Sequence, residues 1–170
     1  MPFKTFTDGA VLQADADVDR FFIQQVHALK TADESITSST VLQNDDQLLV
    51  PLLANSQYWI ELFAIYSAAT ASDLSITFSV PAGGALYWSH GGLAGGATGS
   101  VDRISRNFLD ETGSGWIGGT GADAVVMGEG RVTTGATAGN LQLRWAQNAS
   151  GATATIVKAG SILIAQRLTT

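Results

Sequence analysis

Acidic residues are the first candidates for chemistry, because two neighbouring carboxyl groups can serve as acid and base in glycoside hydrolysis. The chain offers two adjacent pairs and two single glutamates: Asp45, Asp46, Asp110, Glu111, Glu61 and Glu129. The adjacent pairs are typical of turns. Glu61 interrupts an apolar segment, where a buried carboxylate needs a charged or hydrogen-bonding partner. We predict a structural pair of Glu61 with Arg144, or a contact between subunits, in preference to catalysis.

Histidines are the second candidates, because a catalytic triad needs one beside a nucleophile. The sequence has two, His27 and His90, and none of its serines stands in the Gly-x-Ser-x-Gly pattern of a nucleophile elbow. Asp102 and Asp110 follow His90, so a triad is an alternative that no motif supports. We expect His90 to be a solvated loop residue, His27 to lie on a helix, and no residue to be catalytic.

Metal and nucleotide sites find little support in the composition. The chain has no cysteine, which excludes disulfides and, with two distant histidines, a Cys/His metal site. Residues 91–99 are rich in glycine but lack the spacing of a phosphate-binding loop, and they indicate an adaptable surface loop. The net charge of -6 disfavours a nucleic-acid partner. We expect no metal and no cofactor.

Two aromatic residues near glycine-rich segments are candidates for surface contact. Trp116 lies within residues 113–121, where an exposed tryptophan would mark a contact; the alternative is that it folds back to close one end of the domain. Tyr87 and Trp116 on one exposed face would form a carbohydrate-binding surface. Three further tryptophans lie in strand-like segments and are typical of core or interface: Trp59, Trp88 and Trp145.

Low charge is the main feature of the composition. Apolar residues make up 45% of the chain and charged residues 14%, against a usual charged share of about 25%. No apolar run approaches the roughly 20 residues of a membrane-spanning helix, so burial in a protein interface is the better explanation. Residues 1–4 lack the layout of a secretory signal. A length of 170 residues suits one main domain with an appendage.

A short helix is predicted ahead of the β region. Asp15 can cap its first turn, and an apolar stripe follows at helical spacing. The stripe supplies the candidates for oligomerisation or anchoring: Val18, Phe21, Phe22, Val26 and Leu29. A lone helix of this length is marginal in water. It therefore either docks on the β domain or bundles with the same helix of neighbouring copies.

Strand-like segments separated by turn residues occupy the rest of the chain. Residues 57–66 are apolar on both parities and predict a central strand, whereas residues 73–80 alternate cleanly between apolar and polar. Further strands are predicted near residues 125–133, 141–147 and 155–168. About eight strands with frequent turns predict an antiparallel β-sandwich or jelly roll.

A resemblance to phage proteins rests on several of these segments. Residues 6–15, followed by Val18 and Asp19, resemble the opening of minor tail and fibre proteins of phages that infect actinobacteria. Residues 38–46, 74–81 and 141–148 are similar to a β domain that recurs in virion proteins of such phages. The resemblance implies a virion structural protein, often trimeric and without catalytic residues. It also implies an N-terminal segment that anchors to the particle.

Together these patterns predict a non-enzymatic, all-β protein. Residues 1–30 form an anchoring segment with a short helix, and residues 35–170 form the sandwich. The chain is expected to be made in the host cytoplasm and to act as a homo-oligomer, a trimer by the resemblance, on a phage particle surface. It would be a minor tail or fibre protein or a capsid decoration protein, whose partners are its own copies and other virion proteins, with no membrane insertion. The alternative is a carbohydrate-binding module that contacts host-surface glycan.

Overall fold

Alternating apolar and polar residues form strands along most of the chain. The computed structural model describes residues 24–96, 104–110 and 112–169. Twelve β-strands occur within those residues: β1 (Gln25–Leu29), β2 (Glu34–Ile36), β3 (Gln43–Leu52), β4 (Gln57–Ser67), β5 (Leu74–Ser79), β6 (Ala85–Leu93), β7 (Ile104–Asp110), β8 (Gly115–Ile117), β9 (Asp123–Thr133), β10 (Gly139–Gln147), β11 (Thr155–Val157) and β12 (Ile162–Thr169). In the same ranges no helix is long and apolar enough to cross a membrane.

The strands form two antiparallel sheets. The larger sheet has the order β1-β12-β4-β9-β6-β7, with β11 paired to β4 and β2 paired to β11, and the smaller has the order β3-β10-β5-β8. From β3 to β6, and again from β8 to β10, successive strands alternate between the two sheets. Apart from β6 and β7, neighbouring strands within each sheet are therefore not consecutive in sequence. The all-β class predicted from the sequence is confirmed.

Buried side chains from both sheets form one hydrophobic core. Alternate residues of β4 and β5 point into it: Tyr58, Ile60, Leu62, Leu74, Ile76 and Phe78. Phe78 of the smaller sheet meets Trp88 of the larger sheet edge to face, with ring centroids 5.1 Å apart. Edge-to-face aromatic pairs are favourable beyond the area that they bury. The core thus depends on residues from both sheets.

The predicted helix is wrong for the residues that the structure describes. Gln25–Leu29 form β1, which pairs with β12 along its whole length. Residues three apart in a strand face opposite sides, so Val26 packs against the core while Leu29 is 53% exposed. Pairing with β12 satisfies backbone hydrogen bonds that a marginal helix would otherwise have to provide alone. Val18, Phe21 and Phe22 of the same predicted stripe lie outside the described residues.

A buried ion pair joins the end of β1 to the smaller sheet. The Lys30 ammonium, 1% exposed, donates to both carboxylate oxygens of Asp45 at 2.9 and 2.8 Å and to Glu34 Oε2 at 2.9 Å. Burial lowers the pKa of Lys30, but the hydrogen bonds and charges of Asp45 and Glu34 outweigh it and raise the pKa above its usual 10.5. Lys30 therefore stays charged in the interior.

Asp45 also organises an irregular stretch of β3. The pairing of β3 with β10 shifts register between Gln142 and Arg144. There the Asp45 carboxylate accepts the backbone N–H groups of Gln47 at 3.0 Å and Leu48 at 2.8 Å. The predicted turn at this acidic pair is instead an irregularity inside a longer strand, because the buried carboxylate supplies the acceptors that these N–H groups need.

Replacing Asp45 tests the importance of this ion pair. Asp45→Asn keeps the size of the side chain but leaves the buried Lys30 with less negative charge, and we expect the free energy of unfolding to fall by about 3 kcal/mol. Urea denaturation near pH 7 measures it. Because the folded-state pKa of Lys30 is raised, the contribution of the Lys30 charge is fully present at neutral pH and is lost as the pH rises through that pKa. The difference between wild type and variant should therefore shrink in strong base.

Asp46→Asn is the matched control, because Asp46 is the exposed neighbour on the same strand. Its effect should stay within about 0.5 kcal/mol. Equal losses in the two variants would contradict a special role for the buried pair.

Candidate functional site

The outward face of the larger sheet exposes much apolar and aromatic surface. Six large side chains on it are exposed: Leu29, Trp59, Phe63, Tyr87, Val125 and Met127. They belong to β1, β4, β6 and β9. The residues directly before and after each of them point to the other side of the sheet and are buried or partly buried. Contiguous apolar surface of this kind marks sites of interaction. This face is the leading candidate for a functional surface.

Strand register arranges this face in rows, because directly paired residues of antiparallel strands share a side of the sheet. What we term the aromatic row crosses four strands: Gln166, Trp59, Arg131 and Tyr87. The carboxylate row lies beside it: Ile164, Glu61, Glu129 and Ser89. The apolar row comes next: Leu29, Ile162, Phe63 and Met127. The sheet face thus changes from polar and aromatic to apolar within three rows.

A cleft of about 280 Å³ lies between the carboxylate row and the apolar row. Glu61, Glu129 and Ser89 line one side, and Phe63 and Met127 line the other. Ligand sites typically combine such apolar walls with a few polar groups, and this one lies near the lower end of their usual size. The cleft is suited to a small or extended ligand that offers both apolar surface and hydrogen-bond donors.

Glu61 and Glu129 are direct cross-strand partners on β4 and β9. Such partners have β-carbons about 4.5–5.5 Å apart. Trp59 Nε1 donates to Glu61 Oε1 at 3.2 Å, which links the aromatic row to the carboxylate row. Among the described residues no group of three or more acidic or histidine side chains could hold a metal ion. The two carboxylates can instead accept hydrogen bonds from a common ligand.

The predicted pairing of Glu61 with Arg144 is wrong. Glu61 is exposed on the larger sheet, whereas Arg144 lies on β10 of the smaller sheet and donates Nη2 to the carbonyl oxygen of Leu42 at 3.1 Å. Apolar residues occupy both faces of β4, so the sequence pattern did not show that Glu61 points outward. The register that places Glu129 opposite Glu61 could not be read from one sequence.

His90 is not the solvated loop residue that the sequence predicted. It lies on β6, 1% exposed, with its ring centroid 5.8 Å from that of Trp88. Burial lowers the pKa of His90 below its usual 6.5. Asp110 is exposed at the end of β7, paired with Tyr87 rather than with His90. Asp102 lies outside the described residues, and the described part of the chain brings no triad together.

Trp116 lies on β8, the edge strand of the smaller sheet. Its half-exposed ring lies against Gly95, and Nε1 donates to Asp73 Oδ2 at 2.7 Å. Asp73 also accepts the backbone N–H groups of Gly96 at 2.8 Å and Gly119 at 2.7 Å. The ring is therefore anchored to its own domain and also exposed, which combines the two predicted alternatives.

Neighbouring groups reinforce this anchor. Asp73 is buried at a positive φ of 51°, which favours Gly, Asn or Asp. The Tyr66 hydroxyl donates to the carbonyl oxygen of Gly118 at 2.6 Å, and burial together with the charge of Asp73 raises the pKa of Tyr66. The glycine-rich segments are thus fixed at this point by a buried carboxylate and a phenol.

The two predicted surface residues, Tyr87 and Trp116, lie on different sheets. They do not share one face. Tyr87 instead shares its row with Trp59, which the sequence assigned to the core or an interface. The signal that could have identified Trp59 is its parity with Glu61, since a charged residue marks the outward side of a strand.

Replacing Asp73 tests the anchor of Trp116. Asp73→Asn tolerates the positive φ but turns one acceptor oxygen into a donor, so at least one of three N–H groups loses its partner. We expect about 1–3 kcal/mol less stability toward urea. Amide hydrogen exchange at Gly96 and Gly119 should also accelerate. Unchanged stability together with unchanged exchange would contradict the anchoring role, and Asp46→Asn again controls for charge.

Comparison of the chain with protein-family models, with curated proteins and with solved structures finds no match. The role of the outward face of the larger sheet is therefore inferred from its geometry alone. It presents aromatic rings, paired carboxylates and apolar side chains in three adjacent rows. Side chains of these kinds bind partners by apolar contact and by accepting hydrogen bonds.

Proposed function

We propose that this chain is a non-enzymatic structural protein of a phage particle, where it works as one of several identical copies on the particle surface. Of the predicted anchoring segment 1–30, Gln25–Leu29 form β1, and residues 1–23 would supply the anchor. The β domain would face outward. The resemblance of residues 6–15 and 38–46 to virion proteins of actinobacterial phages supports this proposal.

A jelly-roll sandwich is the architecture that we infer for the domain. The orders β3-β10-β5-β8 and β4-β9-β6-β7, with successive strands alternating between sheets, suit two interlocked Greek keys. The contact of Phe78 with Trp88 supports face-to-face packing of the two sheets. Jelly rolls are frequent in viral capsid and lectin domains. The inferred architecture is therefore consistent with a virion protein.

The exposed apolar row is the observation that carries the assembly proposal. Leu29 is 53% exposed and Met127 57% exposed, with Phe63 and Ile162 between them in the row. Val125 extends the apolar surface along β9. Monomeric proteins rarely expose such contiguous patches. A second copy would cover this surface, and cyclic symmetry would close the assembly.

The proposed stoichiometry rests on the resemblance, which leaves two positions on the particle open. A trimer is the expected form, attached either as a minor tail or fibre protein or as a capsid decoration protein. The low share of charged residues, 14%, suits a chain with much of its surface in contact with other copies. Neighbouring virion proteins would contact the N-terminal segment.

Carbohydrate binding is the second candidate function. Trp59 and Tyr87 expose aromatic rings in the row beside Glu61 and Glu129. Sugars bind to exposed aromatic faces with nearby hydrogen-bond acceptors. The two functions are compatible, because a particle-surface protein can contact the host cell.

The assembly proposal predicts a mass in solution of three times the 17.7 kDa chain. Light scattering coupled to size-exclusion chromatography at about 50 μM protein measures it. Met127→Lys should dissociate the oligomer, because it places a charge in the apolar contact. Val41→Lys, an exposed apolar residue away from this face, is the matched control and should leave the mass unchanged.

A wild-type chain that is strictly monomeric at this concentration would contradict the assembly proposal. Equal dissociation by Met127→Lys and Val41→Lys would place the contact elsewhere than on the apolar row.

The virion proposal predicts that the chain is present in purified phage particles. Antibody fragments raised against the folded chain should label intact particles in electron micrographs, either over the capsid or along the tail. The position of the label separates a decoration protein from a fibre protein. If mass spectrometry finds the chain in infected cells but not in purified particles, the virion proposal is wrong.

A further inference from the structure

We propose that the side chains of Lys30 and Asp45 join through an amide bond, with Glu34 carrying a proton that the reaction requires. The bond would link β1 of the larger sheet covalently to β3 of the smaller sheet, in a chain that has no cysteine. It goes beyond the proposed function, which involves only the outer surface and noncovalent contacts. The inference does not rest on that function, because all three groups belong to one chain.

The geometry of the buried ion pair brings the reacting atoms together. Lys30 Nζ lies 2.9 Å from Asp45 Oδ1 and 2.8 Å from Oδ2. Because these two oxygens flank the carboxyl carbon, Nζ also lies within roughly 3.5 Å of Cγ, the separation of reacting atoms in near-attack conformers. An amine and a carboxyl group held in this way can condense in an intramolecular step, which needs no encounter between separate molecules.

Burial favours the reaction, because the product is neutral. Lys30 and Asp45 are 1% and 0% exposed, and two charges in such surroundings carry a desolvation cost that their attraction must offset. Condensation replaces both charges with one uncharged amide and releases a water molecule. Because both groups are shielded from solvent, water has little access to reverse the step.

Lys158 and Asp123 form an ion pair that lacks these features. Their contact joins Nζ to one carboxylate oxygen at 2.6 Å, and the side chains are 25% and 60% exposed. Surface pairs of this kind are screened by solvent. Lys158 is therefore an internal comparison that should not react.

Proton transfer within the buried pair makes Lys30 a nucleophile. Oδ2 of Asp45 is near enough to take one proton from Nζ, which converts the ammonium and the carboxylate into an amine and a carboxylic acid without changing the total charge. Burial disfavours both charged forms and so lowers the cost of this transfer. The lone pair of Nζ then attacks Asp45 Cγ, and a carbon–nitrogen bond forms. The pH dependence that the Lys30 charge gives to stability belongs to the chain before this bond forms.

Backbone N–H groups stabilise the tetrahedral intermediate. Asp45 Oδ1 accepts those of Gln47 at 3.0 Å and Leu48 at 2.8 Å. Two such donors act as an oxyanion hole, because they stabilise the negative charge that develops on the oxygen. Oδ1 therefore remains as the amide oxygen. Oδ2, which accepts from Trp145 Nε1 at 3.2 Å, is the oxygen that leaves.

Glu34 is positioned to carry the second proton. Its Oε2 lies 2.9 Å from Lys30 Nζ and also accepts the backbone N–H of Asp46 at 3.0 Å. Gln43 Nε2 donates to its Oε1 at 2.8 Å, which fixes the carboxylate further. Glu34 takes a proton from Nζ as the carbon–nitrogen bond forms and returns it to Asp45 Oδ2. The carbon–oxygen bond then breaks, one water molecule leaves, and Glu34 is unchanged.

Intact-mass spectrometry of the purified full-length chain tests for the bond. We expect wild type to be one water molecule lighter than its sequence. Lys30→Arg keeps the positive charge of the buried pair but lacks the reactive amine, so it should keep the full mass. Asp46→Asn removes an exposed carboxylate from the same strand and is the matched control, which should lose the water as wild type does. Wild type at full mass, or a water lost from Lys30→Arg, overturns the proposal.

Peptide mapping by tandem mass spectrometry locates the bond. Protease digestion should yield a branched peptide that contains Lys30 and Asp45, together with an unmodified peptide for Lys158. A water lost elsewhere, as in a cyclised aspartate, overturns the proposal. A branch from Lys30 to Glu34 overturns the assignment of Asp45 as the electrophile.

A refolding experiment tests the role of Glu34 and the need for the folded geometry. Chain recovered from inclusion bodies and dissolved in urea should have the full mass and should lose one water molecule only after refolding. Glu34→Gln should react about a hundredfold more slowly, because it lacks the proton carrier. Circular dichroism must show that the variant is folded. A water lost in urea contradicts the templated reaction, and a wild-type rate in folded Glu34→Gln contradicts the role of Glu34.

Discussion

A single buried carboxylate ties the two sheets together. Asp45 accepts hydrogen bonds from the Lys30 ammonium at the end of β1, from Trp145 Nε1 on β10, and from the backbone N–H groups of Gln47 and Leu48 on its own strand. A charge in the interior is tolerated only with such partners. The chain has no cysteine, so this network, together with the apolar core, holds the strands in register.

Burial decides what a carboxylate does in this protein. Asp45 and Asp73 are buried, and each collects several donors from its own chain, which gives both a structural role. Glu61 faces outward with one tryptophan N–H as its described donor. Its other acceptor sites are accessible to a ligand. The same chemical group thus stabilises the fold in one place and is available for recognition in another.

The sequence predicted some of these features because local pattern determines them. The alternation along β5 identified a half-buried strand, with Leu74 and Phe78 in the core. The helix predicted from the apolar spacing that ends at Val26 and Leu29 was wrong, because these residues form a strand that pairs with β12. The rows of side chains on the larger sheet could not be predicted from the sequence. The pairing of Glu61 with Glu129 depends on a register between strands that one sequence does not encode locally.

Alternation of successive strands between sheets also has a kinetic consequence. Ile60 of β4 pairs with Gly130 of β9 and with Ala165 of β12, and Val50 of β3 pairs with Leu141 of β10. Such long sequence separations make loop closure the slow step, and all-β domains of this kind fold in milliseconds to seconds. Neither sheet can close until distant strands have met. During synthesis on the ribosome, the early strands therefore lack some of their hydrogen-bonding partners until β9, β10 and β12 have emerged.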